Sequence, residues 1–312
     1  MSVYHGYSAL PEAARGAVAA LGNFDGVHRG HQAVLSEAVT LARALGAPAG
    51  AAVFTPHPRR VFQPDAEPFA LMSAAQRVRA LQGAGAQLVH HIPFDRALAA
   101  MSPERFVREA LHEGLGLAGV VTGADFCFGR NRAGDAQTLK ALGEACGMAV
   151  RIAAPVKDGP GAQKISSSGV RQALREGDPA RAATLLGRPF AIEGEVSEGD
   201  RRGRTIGFPT ANVALGEYLR PAFGVYAVRV NLGGGEALPA VANIGRRPTV
   251  EGLEARLEAY LFDFNADLYG QMIECELIAF IRPEQRFDGL DALRAQIAAD
   301  CDTARRLLGA GT

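Results

Sequence analysis

Residues 21–35 read LGNFDGVHRGHQAVL, and within this stretch a hydrophobic segment ends and an amphipathic segment begins. Residues 17–24 predict a short buried strand that ends in a Gly-Asn pair. From His31 onward, apolar residues recur at helical spacing: Val34, Leu35, Ala38, Leu41, Ala42 and Leu45. The stretch therefore predicts a strand, a tight polar loop and a helix, which is the opening unit of a parallel α/β sheet.

The alternation of strands and helices continues from this unit. Further apolar strands are predicted up to Thr55, over QLVHHIPF and over LAGVVTGADF, with helical segments around 73–83 and 103–113 between them. This order predicts a Rossmann-like sheet with crossover helices. Ligands of such sheets bind beyond the carboxyl ends of the strands, where residues 23–31, 55–59 and 122–129 fall.

The pattern changes after about residue 187. FGVYAVRVNLGGGEALPAVANIG predicts two strands around a glycine turn, and LEAYLFDF and QMIECELIAFI are further strand candidates. The last apolar set has helical spacing: Leu290, Leu293, Ile297, Cys301, Ala304 and Leu308. We therefore predict an α/β domain over residues 1–186 and a small antiparallel β-barrel or sandwich with a C-terminal helix over residues 187–312.

The composition of the chain argues against some classes of function and limits the residue types available for catalysis. The 312 residues carry a formal net charge of zero, which argues against a general nucleic-acid surface. Four cysteines without CxxC spacing and no long apolar run fit a cytoplasmic protein without a membrane segment. All seven histidines lie at or before His112, and the lysines end at Lys164. Chemistry in the last third must therefore use carboxylates, hydroxyls, arginines, backbone groups or a metal.

His28 and His31 admit several interpretations. A metalloprotease pair has i, i+4 spacing with a glutamate between, whereas these two lie three apart across Gly30 at a predicted helix start. Backbone N–H groups at a helix start attract phosphate, and histidines beside them donate further hydrogen bonds. The alternative is that both are incidental turn residues. The polar loop that precedes them favours a phosphate site.

Two other segments contain candidate site residues. In ISSSGVRQAL, three serines precede a helical run with Arg171 in its first turn, which fits an anion site or an ordinary helix cap. In GDRRGRTIGFPTANV, a Gly-Pro turn explains Gly207 and Pro209 but not Thr210 and Asn212.

Glu258 is a carboxylate in an aromatic setting. Strand alternation places it on the same side as Tyr260, Phe262 and Phe264. A carboxylate on such a face lies at the rim of the sheet or has a function.

Together these segments resemble one family. GNFDGVHRGH, FTPHPRR, VTGADFCFGRNRAGD and ISSSGVR, followed by IGFPTAN and DFNADLYG, resemble the motifs of the bifunctional riboflavin kinase/FAD synthetase family. They occur in family order over almost the whole chain. Two positions depart from the expected pattern, because a basic residue is more usual at Cys127 and threonine at Ser168.

The resemblance implies an N-terminal HxGH nucleotidyltransferase domain that adenylylates FMN. It implies that ATP is held there by Gly22, Asn23, Phe24, Asp25, Gly26, His28, His31, Ser166, Ser167 and Arg171. The flavin side of that site would be Thr55, His57, Pro58, Asp125 and Phe128. His28 and His31 would act in adenylyl transfer by positioning and charge stabilisation, because FMN itself supplies the attacking phosphate.

The resemblance also implies a C-terminal riboflavin kinase domain with Glu258 as the general base. Its ATP and flavin contacts would be Gly203, Arg204, Gly207, Pro209, Thr210, Asn212, Asn243 and Arg286. Thr210 and Asn212 would hold Mg²⁺, for which oxygen ligands are suited.

The implied reactions are the phosphorylation of riboflavin to FMN and the adenylylation of FMN to FAD. ATP is the co-substrate of both, and the second reaction releases pyrophosphate. Riboflavin, FMN, FAD and ATP are then the partners, and we expect a monomer or a weak homo-oligomer. Three alternatives stay open at this stage: loss of one activity, a flavin-binding or nucleotide-binding regulator without turnover, and adenylyl transfer to another phosphorylated acceptor.

Overall fold

The computed structural model describes residues 2–197, 207–249 and 252–310. The chain forms two compact units. The first comprises the residues up to Ala66 together with Ala74–Ile165, and the second comprises Glu67–Ser73 and the residues from Ser166 onward. The division of function at residues 186 and 187 stays a prediction. No helix among the described residues has the length and apolar composition needed to cross a membrane.

The first unit is built on a parallel sheet. Its strands, with a small hairpin formed by β6 and β7, are β1 Ser2–His5, β2 Val18–Gly22, β3 Ala49–Thr55, β4 Leu88–Pro93, β5 Gly119–Gly123, β6 Cys127–Phe128, β7 Gly134–Asp135 and β8 Ala149–Ala153. The sheet order is β1-β4-β3-β2-β5-β8, and every neighbouring pair is parallel. From β2 the chain runs outward through β3 and β4 and returns to β5 on the other side. The crevice for a ligand therefore lies at the carboxyl ends of β2 and β5.

Helices connect these strands. They are α1 Arg29–Leu45, α2 Pro58–Phe62, α3 Ala74–Gly83, α4 Arg96–Ala99, α5 Pro103–Arg105, which continues as a π-helix over Phe106–Gly114, and α6 Ala136–Ala145. The predicted strand end at Thr55 and the predicted helices over 73–83 and 103–113 are confirmed. β3 is buried along almost its whole length, as expected for a parallel strand covered on both faces.

The second unit is an antiparallel barrel. Its elements are α7 Ser167–Arg175, α8 Pro179–Leu186, β9 Phe190–Glu195, β10 Ala211–Ala214, β11 Gly224–Asn231, β12 Leu238–Thr249, β13 Gly252–Leu261, β14 Met272–Pro283 and α9 Leu290–Leu308. The sheet order is β10-β13-β12-β11-β14-β9. A bridge between Ser197 and Asn212 joins the two edges, which nearly closes the barrel.

The barrel has a buried interior and an outer face that carries α9. On β13 the interior residues are Ala255, Leu257, Ala259 and Leu261, which are at most 5% exposed. Cys301, Ala304 and Leu308 of α9 pack against Val241 and Phe262 on the outside. Residues that alternate with the interior set on β13, Glu258 among them, therefore face outward.

Candidate active sites

The first candidate site begins with the loop between β2 and α1. Phe24, Gly26 and Val27 have φ angles of 51°, 86° and 38°. A left-handed conformation is easy for Gly26 and strained for the β-branched Val27. Strain of this kind persists where the surroundings determine the backbone, as they do at binding sites. The loop brings Asp25 and His28 to positions where each is only 6% exposed.

His28 and His31 form a stacked pair at the start of α1. Their ring centroids are 3.6 Å apart with an angle of 15° between the planes. His28 caps the helix, because its Nδ1 accepts a hydrogen bond of 3.2 Å from the backbone N–H of His31. The neutral His28 ring then carries its proton on Nε2, which is the atom that can donate to a phosphate.

Gly30 makes this stacking possible. A Cβ atom at Gly30 would lie 3.1 Å from Cε1 and Nδ1 of His28 and 3.3 Å from the carbonyl oxygen of Ile165. The glycine between the two histidines is therefore a steric requirement of the pair.

Arg77 on α3 links the loop after β2 to the end of β3. Its Nη1 donates to the carbonyl oxygen of Asn23 at 3.2 Å, and its Nη2 donates to Oγ1 of Thr55 at 2.9 Å. Thr55 Oγ1 also lies 3.1 Å from Nδ1 of His91. Burial lowers the pKa of Arg77, and the nearby Asp25 opposes that shift. This buried cation joins a predicted ATP loop to a predicted flavin position.

Asp125 lies at the other side of the crevice, after β5. It forms an ion pair with Lys164, and the hydrogen bond from Lys164 lowers the pKa of Asp125. A protonated His28 ring would lower this pKa further, which indicates that Asp125 lies near the histidine pair. Arg29, in the first turn of α1, pairs with Asp158 at 2.9 Å.

The predicted flavin residues are at the carboxyl ends of β3 and β5. His57 caps α2 by accepting a hydrogen bond from the backbone N–H of Arg59 at 3.1 Å, and Pro58 is in the first turn. Phe128 is buried at 6% exposure and stacks with Phe126 at 5.7 Å. Phe62, at the end of α2, is 65% exposed and offers an aromatic surface next to this segment.

The second candidate site is a row of side chains across three strands. Glu258 on β13 is directly opposite Asn212 on β10 and directly opposite Asn243 on β12. Residues opposite one another in an antiparallel pair project from the same face with their Cβ atoms about 5 Å apart. The register therefore gathers three predicted residues that are up to 46 positions apart in the sequence.

Glu258 has a charged partner in this row. Arg247 donates from Nε to Oε1 of Glu258 at 2.8 Å and from Nη2 to Oε2 at 3.4 Å. Tyr260 shares the outer face with Glu258, as predicted. Phe262 also lies in this outer cluster, with its ring centroid 6.0 Å from that of Tyr260. The predicted continuation of the alternation to Phe264 is wrong, because β13 ends at Leu261 and Asp263 takes a left-handed φ of 56°.

The residues before β10 belong to the same site. Gly207, with a φ of 89°, and Pro209 lead into the strand. The Asn212 amide nitrogen donates to the carbonyl oxygen of Thr210 at 3.1 Å, which leaves the amide oxygen as the atom suited to a cation. The hydroxyl and amide oxygens of Thr210 and Asn212 fit a hard cation such as Mg²⁺. Gly203 and Arg204 lie outside the described residues, and Arg286 is in an exposed segment after β14.

The remaining predicted ATP residues, Ser166, Ser167 and Arg171, belong to the second compact unit. Ser166 caps α7, because its hydroxyl accepts from the backbone N–H of Gly169 at 3.2 Å. Arg171 donates from Nε to the carbonyl oxygen of Phe69 at 2.9 Å and lies over the Phe69 ring. Ser166 therefore stabilises the start of α7 and Arg171 holds the segment at Phe69, whether or not they also bind ATP.

Comparison with known proteins identifies the family. The FAD synthetase model matches residues 10–169, and the riboflavin kinase model matches residues 186–308. The bifunctional riboflavin kinase/FMN adenylyltransferase of Escherichia coli K12 is 43% identical over 305 residues, with 98% of this chain and 96% of that protein covered. The chain belongs to the bifunctional riboflavin kinase/FMN adenylyltransferase family. The predicted family and the predicted combination of a Rossmann-like domain and an antiparallel barrel are confirmed.

The likeness holds over the full length in distant relatives of the family. The Bacillus subtilis protein of the same name is 37% identical, with 97% of this chain and 96% of that protein covered. A crystal structure named as a macrolide-efflux protein from Streptococcus pneumoniae superposes with a TM-score of 0.85 at 32% identity, with 97% and 98% of the two chains covered. That structure shares the fold of this chain across both units.

Three residues at these sites are not among those predicted from the sequence. Lys164 is one position before the Ser-rich segment, and Arg247 lies within ANIGRRPT, residues 242–249, which resembles a flavin-side or nucleotide-side loop of the family, so the sequence gives a signal for both. Arg77 carries no such signal, because its partner Thr55 is 22 positions away and meets it only in the folded chain. The roles of all site residues remain predictions.

Proposed function

We propose that the second unit phosphorylates riboflavin and that Glu258 is its general base. The row formed by Asn212, Glu258 and Asn243 carries this proposal, because it sets a carboxylate beside the residues suited to the ATP phosphates. Glu258 accepts the proton of the ribityl hydroxyl while that oxygen bonds to the γ-phosphorus of ATP and the bond to ADP breaks. A positioned base of this kind contributes roughly 10²- to 10⁴-fold to the rate.

Thr210 and Asn212 would hold Mg²⁺ through their oxygen atoms. The ion, when bound, supplies positive charge to the phosphates of ATP. Because the chain has no lysine after Lys164, the protein itself offers only arginines for this purpose in the kinase unit. Gly203, Arg204, Gly207, Pro209 and Arg286 would complete the nucleotide and flavin contacts.

The first unit then transfers AMP to FMN. The FMN phosphate attacks the α-phosphorus of ATP and pyrophosphate leaves, so no protein nucleophile is needed. Nε2 of His28 and the ring of His31 donate toward the phosphates, and the N-terminus of α1 adds its positive end. Lys164 supplies a further cation on the side of Asp125.

Flavin binds beside this ATP site in our proposal. Thr55, His57, Pro58 and Asp125 line the carboxyl ends of β3 and β5, and Phe128 supports that region from within the core. The exposed ring of Phe62 provides a surface on which an isoalloxazine ring can stack. Four free cysteines in the described residues fit a reducing, cytoplasmic compartment, and we keep a monomer or weak homo-oligomer as the working form.

Crossed variants test the assignment of residues to activities. We expect Glu258→Ala to abolish FMN formation from riboflavin while FAD formation from FMN continues. We expect His28→Ala combined with His31→Ala to do the converse. Both activities are followed by chromatography with Mg-ATP. The reaction that persists in each variant shows that the unmutated unit is folded. A variant that stops both reactions in a folded protein contradicts the assignment.

A further inference from the structure

Arg247 has no role in the reaction described above, although it contacts the proposed base directly. It lies on β12 opposite Glu254, and four residue pairs along the same ladder Asn243 lies opposite Glu258. The guanidinium reaches past the intervening Gly245–Arg256 pair and donates to both carboxylate oxygens of Glu258. The contact therefore runs diagonally across the sheet.

Two neighbours explain the diagonal contact. Gly245 lies between Asn243 and Arg247 on the same face, where a Cβ atom would collide with the carboxylate of Glu284, so a side chain at this position would crowd the path. Glu254, the residue opposite Arg247, is already held by Arg256, whose Nε donates to it at 2.6 Å. Arg247 is thereby directed to Glu258.

We propose that Arg247 is a positioning residue of the kinase reaction, which fixes the carboxylate of Glu258 and offsets its charge beside the ATP phosphates. A guanidinium that engages both oxygens of a carboxylate fixes the plane of that group. An ionised carboxylate has about four acceptor sites, so the ribityl hydroxyl can still donate to Glu258 while Arg247 is bound. This inference rests on the proposed role of Glu258.

The two effects of Arg247 predict different kinetic signatures. Loss of the fork leaves the carboxylate free to rotate and lowers kcat, because the base must meet the hydroxyl in one geometry. Loss of the charge leaves Glu258 facing a triphosphate and raises the KM for ATP. Lysine keeps the charge but not the planar fork, so Arg247→Lys should restore the KM for ATP and not kcat.

The test is a double-mutant cycle between Arg247 and Glu258 in the full chain. We expect Arg247→Met to lower the kcat of FMN formation about tenfold to a hundredfold, with the KM for riboflavin within about twofold. In the Glu258→Gln background the same change should have less than about a twofold effect, since the group it positions is gone. FAD formation from FMN, measured on the same samples, should be unchanged.

Arg305→Met is the matched control, because it removes another arginine–carboxylate pair of the same unit, with Asp263, which involves neither Glu258 nor Glu254. It should leave kinase kcat within about twofold of the unmodified chain. Equal losses from Arg247→Met in both backgrounds, or a loss no larger than that of Arg305→Met, overturn the positioning role. Full kinase activity in Glu258→Gln alone instead overturns the base assignment, so the two failures are distinguishable.

Discussion

In the first unit, the histidine pair and the loop before it occupy ten consecutive residues, 22–31, whereas in the second unit Asn212, Asn243 and Glu258 come from three different strands. The first site is made largely of backbone conformation and of rings stacked at a helix start. The second is made of side chains that the sheet register aligns. Both sites would bind the phosphates of ATP, so the two units would build the same kind of binding site from different structural elements.

The largest expected difference between the units is in their response to acid. His90 is fully buried on β4, and burial lowers its pKa to about 4. Burial, Arg77 and His5 lower the pKa of His91 to about 4 as well. An unfolded histidine titrates near 6.5. Protons therefore bind the unfolded first unit more strongly between these values, and its stability falls as the pH drops from about 6.5 to about 4.

For His90 alone the loss is about 3 kcal/mol in the free energy of unfolding. Urea unfolding read by pulsed hydrogen exchange measures it, with peptides over β4 for the first unit and over β14 for the second. His90→Leu is the matched variant, because neither ring nitrogen of His90 has a hydrogen-bond partner in the described part of the chain. We expect it to reduce the pH slope of β4 and to leave β14 unchanged. An unaltered slope would contradict the prediction.

A methyl group at Gly30 should impair only the first site. Alanine favours a helix interior by about 1 kcal/mol over glycine, so α1 should still form. Its Cβ would nevertheless meet the His28 ring at 3.1 Å and displace it by a few tenths of an ångström. We expect Gly30→Ala to slow FAD formation about tenfold and to leave FMN formation unchanged.

The control for this substitution is Gly83→Ala at the end of α3, where an added Cβ would have no heavy atom within 4 Å. It should change neither reaction. Undiminished FAD formation by Gly30→Ala would mean that the close stacking of the two histidines is not required.

Sequence periodicity predicts the first unit well because its signals are local. The strand before Asn23, the helix after His28 and the end of β3 at Thr55 all follow from the spacing of neighbouring apolar residues. Lys164 and Asp125 are 39 positions apart, and only the packing of the loops after β5 and β8 brings them together. No periodicity contains that information.

The second unit shows the same limit in a different form. The motifs indicate Asn212, Asn243 and Glu258 one by one, but their alignment depends on how β10, β12 and β13 pair. A register shift of one residue would turn Glu258 to the opposite face. The failure at Phe264 has a local cause, since the left-handed turn at Asp263 ends the alternation that the sequence pattern extends.

Ser166 offers the smallest expected effect and separates a structural role from a phosphate-binding one. Its hydroxyl caps α7, so Ser166→Ala should cost about 1 kcal/mol in the stability of the second unit. Ser166→Asp should keep the cap, because aspartate is as good an N-cap as serine, but it adds a negative charge. If Ser166 also binds the ATP phosphates, that charge repels them, and we expect the KM for ATP in FAD formation to rise roughly fivefold.

Hydrogen exchange of peptides over α7 measures the cap, and steady-state kinetics measures the KM. An aspartate variant with an unchanged KM would leave Ser166 as a helix cap alone, and the ATP site of the first unit would then rest on the loop before α1, the two histidines and Lys164.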